Sequence, residues 1–419
     1  MPKVQVSISF DAGFTADPKD ALGTQSLMLG LMEEGTTTRS SVQIAEETER
    51  LGAGISKGAS LDRTSFSLSA LTPNLAPSLD LLADIVRRPA FDPKEVERVR
   101  AQQLAAISAE LTRPASLAAR ILPGKLFGEA HPYGIPGSGS GDPKVVKALT
   151  PEQLRGFHRR WIRSDNARII VVCDTTLAQI MPLLEASFGN WPQDRMARPV
   201  KPSLDVGAAP KPTIYLIDRP GSPQSIITAG EVLGVKGRDD VIALRAVNDV
   251  IGGSFLSRIN TDLREVKGWS YGSRTGIASH EGPLTFTVSA PVQTDKTGAS
   301  IAAIREQLTA FLGPKGTTPA ELERTLNNSI RELPGSFETA GDVLGGISNI
   351  VTYGRPDDFY ETLSAKYRGI DAAALDATAR AQINPDRLVW VVVGDAKTVR
   401  PQLDGLGMPV EIIAAPVAE

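Results

Sequence analysis

Two side chains near the end of one helical pattern have the chemistry to hold and polarise a carbonyl: Arg264 and Tyr271, in the stretch Leu263-Arg264-Glu265-Val266-Lys267-Gly268-Trp269-Ser270-Tyr271. A guanidinium offers a planar fork of donors suited to a carboxylate or a peptide carbonyl, and a phenol donates to an oxygen that becomes negative during attack. Both assist charge development; neither activates water. Apolar positions at helical spacing from Asp239 to Arg264 predict a helix, and Gly268 is the residue type that ends a helix in the left-handed conformation. Arg264 then sits in the last turn and Tyr271 opens a strand, Tyr271 to Ser279. Taken alone, this spacing leaves two readings open. An arginine at a helix C-terminus also complements the dipole, and a tyrosine opening a strand also packs with its hydroxyl in water.

Little else in the chain offers chemistry. Its three histidines, His131, His158 and His280, lie more than a helical turn apart and read as a turn residue, a helix-surface residue and a strand-end residue. Cys173, the single cysteine, ends the apolar run Ile169 to Val172, which suits a small buried side chain and excludes an internal disulfide. The glycine-rich stretch Gly134 to Asp142 lacks the Gly-Lys-Ser/Thr ending of a phosphate cradle and follows no strand, so it reads as a surface loop. Arg155, Arg159, Arg160 and Arg163 recur on roughly one helical face and read as a solvated face or an inter-subunit contact.

These residues must be positioned by a large chain. The 419 residues, 41% of them hydrophobic, supply core for more than one domain, and a net charge of -3 argues against a nucleic-acid or anionic-membrane partner. No apolar run approaches bilayer length, and Met1-Pro2-Lys3-Val4 runs almost directly into the alternating strand Val4 to Phe10 without a signal-peptide pattern, leaving periplasm and cytoplasm both open. The chain reads as two copies of one unit. A strand, Arg168 to Asp174, followed by a helix, Thr176 to Phe188, returns roughly 220 residues later as Arg387 to Asp395 and Ala396 to Leu406.

Each copy mixes early strands (Val4 to Phe10 and Thr64 to Ala70; Thr213 to Leu216, Ser225 to Glu231 and Thr285 to Ala290) with later helices (Leu75 to Arg87 and Pro93 to Leu111; Thr297 to Phe311 and Pro319 to Glu332). The order predicts an α+β fold of two homologous domains, each packing helices on a mostly antiparallel sheet. The proline-rich stretch Asn190 to Pro212 suits an exposed linker. The expected division is a domain over residues 1–195, a linker over 196–212 and a domain over 213–419.

Several motifs together resemble one family. His131-Pro132-Tyr133-Gly134, Leu149-Thr150-Pro151-Glu152-Gln153-Leu154, Phe157-His158 and the strand Asn166 to Val172 look like the N-terminal half of the pitrilysin and mitochondrial-processing-peptidase family. Gly252-Gly253-Ser254-Phe255-Leu256-Ser257-Arg258, leading through Leu263-Arg264-Glu265 to Tyr271, resembles the stretch in which that family keeps an Arg/Tyr pair for holding substrate. These peptidases bind zinc through an inverted motif, His-x-x-Glu-His, on a helix, with the glutamate as general base. By the family's register the corresponding helix here is Gly23 to Met32, with Ser26 and Gly30 where the histidines would stand and Leu29 where the glutamate would stand. The third ligand falls at Ala106. None of these side chains is a zinc donor.

The resemblance therefore implies the non-catalytic subunit of a heterodimeric bacterial peptidase: one half of a clam-shell, inactive alone and without a cofactor of its own. A homologous partner subunit would carry zinc, and Arg264 and Tyr271 would serve peptide substrate in trans. A permanent interface of that kind needs well over 2,000 Å², or else the linker must let the halves hinge around substrate. The alternative is a structural or docking protein of the same fold with no role in proteolysis. Members of the family usually carry a further strand and often a leader ahead of this point, so the resemblance leaves room for a longer N-terminus.

Overall fold

The computed structural model of the chain describes residues 3–192 and 197–416. Ten strands form two sheets. The first contains β1 (Lys3–Phe10), β2 (Gly54–Ala59), β3 (Thr64–Leu71) and β4 (Ala167–Val172) in the order β2-β3-β1-β4, all antiparallel. Strict alternation in β1 sends Val4, Val6, Ile8 and Phe10 into the core, opposite Ala70, Leu68, Phe66 and Thr64 of β3. The second contains β5 (Ile214–Asp218), β6 (Gln224–Lys236), β7 (Arg274–Ile277), β8 (Pro283–Gln293), β9 (Val389–Gly394) and β10 (Val410–Ile413), ordered β10-β5-β9-β6-β8-β7. Its β5–β9 and β10–β5 pairs are parallel and the rest antiparallel.

The repeat is visible in these orders. Strands β2-β3-β1-β4 are matched by β7-β8-β6-β9, and each of β4 and β9 is followed by a helix, Leu177–Leu184 and Ala396–Leu403. Most predicted elements appear within a few residues, among them the helices Leu75–Arg87, Pro93–Thr112, Thr297–Leu312 and Pro319–Gly335. Proline at the first turn marks many helix starts, because its missing N–H is one the helix could not have used.

The helices do not keep to their own sheets. Leu117, Ala118, Leu122 and Leu126 of the helix Pro114–Phe127 pack with Ile217, Val389, Val391 and Val393 of β5 and β9, so a helix from the first half covers the second half's sheet. In return, the helix Ala340–Tyr353 lies against β1 and β4. Each fully buried leucine of that shared core contributes roughly 1.5–3 kcal/mol. This interlock ties the two halves together through buried apolar side chains. Described linker residues are mostly exposed but tethered, with Arg198 donating to Asn166 (3.0 Å) and Lys201 to the Asp62 carbonyl (2.8 Å); residues 193–196 of the expected linker lie outside the described residues.

A polar seam lies beside the shared core. The Tyr133 hydroxyl donates to Asp62 (2.7 Å) and accepts from the Gly282 amide (2.9 Å), while the Glu281 amide donates to the other Asp62 oxygen (2.8 Å) and Arg63 pairs with Glu281 (3.1 Å). The His-Pro-Tyr-Gly motif thus joins the halves. No helix among the described residues is long and apolar enough to cross a membrane.

Candidate functional site

The long helix expected from Asp239 to Arg264 is broken. An α-helix, Ile242–Asn248, passes into a π-helical turn, Asp249–Gly253, and after a non-helical step resumes as Arg258–Asn260 and a second π-helical turn, Thr261–Val266. The break follows from close packing at the glycine pair. A β-carbon on Gly252 would stand 2.5 Å from the Thr275 side chain of β7, and one on Gly253 would stand 2.5 Å from Asn248 and Asp249. Arg258 anchors the resumed helix through a bidentate pair with Glu321 (2.7 and 2.6 Å). Burial alone would raise Glu321, but hydrogen bonds from Arg258 and Thr318 outweigh it and hold the carboxylate at about 2.

Arg264 does sit in the last turn, and Gly268 does turn the chain with φ +66°, so that the Trp269 and Ser270 amides both reach back to the Leu263 carbonyl (2.9 and 3.3 Å). The following strand starts at Arg274 rather than Tyr271. Ser270 is the reason: its hydroxyl donates to the Pro291 carbonyl (2.6 Å) and accepts from the Gly272 amide (3.1 Å), which pins the chain beside β8 one residue before Tyr271. Tyr271 is left projecting, 86% exposed, and its hydroxyl has no partner among the described residues. The Arg264 guanidinium lies 4.7 Å above the Phe255 ring and pairs only with its neighbour Glu265 (3.1 Å). No hydrogen bond joins Arg264 to Tyr271. Phe255, Leu256, Val266 and Tyr271 are all exposed, an unusual density of apolar surface for one short segment.

The degenerate metal positions lie in a different environment. Ser26, Leu29 and Gly30 stand on the helix Thr24–Leu31 and Ala106 on the helix Pro93–Thr112. The Ser26 hydroxyl donates to the Gly139 carbonyl (2.6 Å), Leu29 is core, and a β-carbon on Gly30 would stand 2.9 Å from a Val99 methyl, so a side chain there would crowd Val99. Ala106 is exposed. Hydroxyl, isobutyl, hydrogen and methyl do not make a zinc site, and no group of three His, Cys, Asp or Glu among the described residues is placed to hold a metal.

The glycine-rich stretch is a loop, as expected, but only its tip is at the surface. Gly139 (φ +66°) and Gly141 (φ +87°) run so close to Phe14 and Leu22 that any side chain would collide, at 2.2 and 2.3 Å. Gln103 donates to the Ser140 carbonyl (2.8 Å), and Arg120, braced by Glu110 (2.9 Å), holds the Ser140 hydroxyl (2.7 Å) and the Gly141 carbonyl. The loop is thereby fastened over the start of the helix Thr24–Leu31. Below it, Asp17 caps that helix through the Gly23 and Gln25 amides (2.7 and 2.8 Å); burial pushes its carboxyl up to about 7 in spite of those bonds. Sequence reading passed over Asp17, Gln103, Glu110 and Arg120, whose partners lie across loops that no periodicity marks.

The histidines have structural roles. His131 stacks on Phe127 (4.8 Å) and accepts from the Tyr133 amide (3.0 Å), and His280 packs on Tyr133 (4.5 Å). His158 is not the surface residue expected: it is buried on the Val86 carbonyl (2.9 Å), and burial pushes its pKa down to about 4. Cys173 is half-buried, and burial raises its thiol.

Two family models cover most of the chain. Residues 1–127 match "Insulinase (Peptidase family M16)" and residues 148–329 match "Peptidase M16 inactive domain". The chain belongs to peptidase family M16. A Mycobacterium bovis protein called an uncharacterized zinc protease is 26% identical over 250 residues, 59% of this chain and 56% of its own length, so the match spans little more than half of that relative. A Helicobacter pylori protein called a non-peptidase homolog is 20% identical over 400 residues, 95% of this chain and 90% of its own. Among solved structures, the M16 inactive domain from Pseudomonas fluorescens superposes with a TM-score of 0.86 at 25% identity, over 94% of this chain and 93% of that one. The two-sheet α+β architecture is that of the family.

Proposed function

We propose that this chain is the non-catalytic, substrate-binding subunit of a heteromeric zinc peptidase, with zinc held by a homologous partner. The observation that carries the reading is a contrast of exposure. Three of the four positions that correspond to the metal site, Ser26, Leu29 and Gly30, are built into structural contacts, whereas Arg264 and Tyr271 project from an apolar surface with almost no part in holding the fold. In a clam-shell with the partner, the Arg264 fork would hold a peptide carbonyl or carboxylate and the Tyr271 hydroxyl would donate to the oxygen that gains charge during attack. The division into two homologous domains joined by the linker belongs to the same proposal, as does inactivity of the isolated chain.

The test is co-expression with a neighbouring gene product that has an intact inverted zinc motif. Co-purification and peptide hydrolysis only by the pair support the reading. A zinc-loaded, active preparation of this chain alone, or two proteins that stay separate at micromolar concentration with and without peptide, overturns it. A docking protein with no role in proteolysis is favoured instead by the exposed cluster of Phe255, Leu256 and Val266, if the complex assembles but the Arg264 and Tyr271 variants leave hydrolysis unchanged.

A further inference from the structure

A cavity of about 220 Å³ opens between the helix Ile242–Asn248 and the turn and helix that follow Tyr353. Ile242, Phe359 and Leu363 give it an apolar wall, and Arg245, Arg355 and Lys366 bring three cations to it. Arg238, Asp239 and Asp240 also line it, but Arg245, Arg355 and Lys366 form no ion pair among the described residues. The Arg245 guanidinium donates to the Ser279 hydroxyl (3.1 Å) and has no carboxylate within ion-pair distance among the described residues, although Asp249, one turn further along, acts on it through space. Arg355 follows Gly354, whose φ of +62° turns the chain out of the helix, and its guanidinium lies over the rings of Phe359 (4.3 Å) and Tyr353 (5.2 Å). Lys366 sits 5.1 Å from the Phe359 ring.

The two acids of the lining accept from backbone amides and pair with none of these three cations. Asp239 accepts from the Lys236 amide (2.7 Å), Asp240 from the Ile242 amide (3.1 Å), and Glu281 pairs with Arg238 at the rim (3.3 Å). Two guanidiniums therefore share a partly desolvated cavity. Burial, with the Arg355 charge acting in the same sense, holds Arg245 below its ordinary range. An anion placed between them would relieve the repulsion and satisfy open donors.

The geometry points to a binding site for a carboxylate carried beside an apolar side chain, as at the free C-terminus of a peptide. Planar forks match a carboxylate in bidentate fashion, and the cavity is below the usual 300–1,000 Å³ of small-molecule pockets, room for about one residue. The apolar wall would take the hydrocarbon side chain, which inorganic phosphate lacks. This inference uses neither Arg264 nor Tyr271 and stands apart from the proteolytic reading.

The test is calorimetric titration of the full chain with acetyl-Ala-Ala-Leu as the free acid, as its C-terminal amide, and with inorganic phosphate. The acid should bind at least about tenfold more tightly than the amide or phosphate, the factor expected from one charge-assisted pair. Arg245→Gln and Arg355→Gln should each weaken the acid about tenfold while leaving the unfolding midpoint within a degree or two, and Arg245→Lys should recover part of the loss. Tyr271→Phe should change nothing here. Equal affinity for acid and amide, no binding of the acid at millimolar concentration, or phosphate binding as tightly as the acid overturns the proposal.

Discussion

The helix Thr24–Leu31 and the segment from Gly252 to Tyr271 are the two places where a member of this family would be expected to do chemistry, and the chain has treated them in opposite ways. In the first, each residue at a metal position has a neighbour: Ser26 is bonded to the Gly139 carbonyl, Leu29 lies in the core and Gly30 abuts Val99. In the second, Arg264 and Tyr271 project outward with almost nothing to hold. A surface pair such as Arg264 with Glu265 is worth about 0–1 kcal/mol, and an exposed phenol contributes little to folding. Side chains that do so little for their own fold point to a target outside it.

The comparison breaks most easily at the sealed end. Gly139→Val should cost about 3 kcal/mol or more, since it puts atoms where Phe14 already stands at a positive φ, and Gly30→His about 1–3 kcal/mol, since its β-carbon crowds Val99. Denaturant unfolding reads this directly; a Gly30→His chain within 0.5 kcal/mol of the parent would show that the helix is not closed off. At the open end the expectation reverses. Tyr271→Phe should leave the unfolding midpoint unchanged yet slow turnover of the reconstituted complex roughly ten- to a thousandfold, about 1.4 to 4 kcal/mol. Arg264→Lys should weaken substrate binding by keeping the charge and losing the fork. Unchanged kinetics in both would leave the segment as docking surface alone.

Two smaller effects sharpen the picture. Tyr133→Phe removes the hydroxyl shared by Asp62 and the Gly282 amide, so it should cost about 1–3 kcal/mol of global stability, measured by denaturant titration, without altering the Arg264 segment. The Asp17 carboxyl, near 3.8 unfolded and about 7 folded, gives stability that is present below about pH 4 and lost as pH rises through 7. His158 acts in the opposite sense: its stability is present above about pH 6.5 and lost as pH falls through 4. Asp17→Asn should therefore make the protein more stable relative to the parent at pH 8 than at pH 4, in thermal melts across that range.

Sequence carried the element pattern and the repeat because both rest on local periodicity. The helix Leu75–Arg87 begins and ends where its apolar spacing does. It also placed Arg264 at a helix end and the turn at Gly268, both fixed by residues a few positions apart. What it missed was set across space. The helix from Asp239 breaks because Gly252 meets Thr275 of a strand, and Tyr271 stays out of β7 because Ser270 is held by Pro291. His158 looked solvent-facing in a helix rich in arginine, and only the approach of Val86 buries it.

The exchange of covering helices between the halves also sets the order in which the protein can be completed during synthesis. The helix Pro114–Phe127 leaves the ribosome 262 residues ahead of Val389, the start of the strand it covers. At about 5–20 residues per second that is a wait of roughly ten to fifty seconds in which Leu117, Leu122 and Leu126 have at most the cover of β5 and β6. Until β9 is made, the core shared by the two halves is incomplete, so the nascent chain is a natural client for chaperones, and loss of the C-terminal strands would expose the apolar face of the helix Pro114–Phe127.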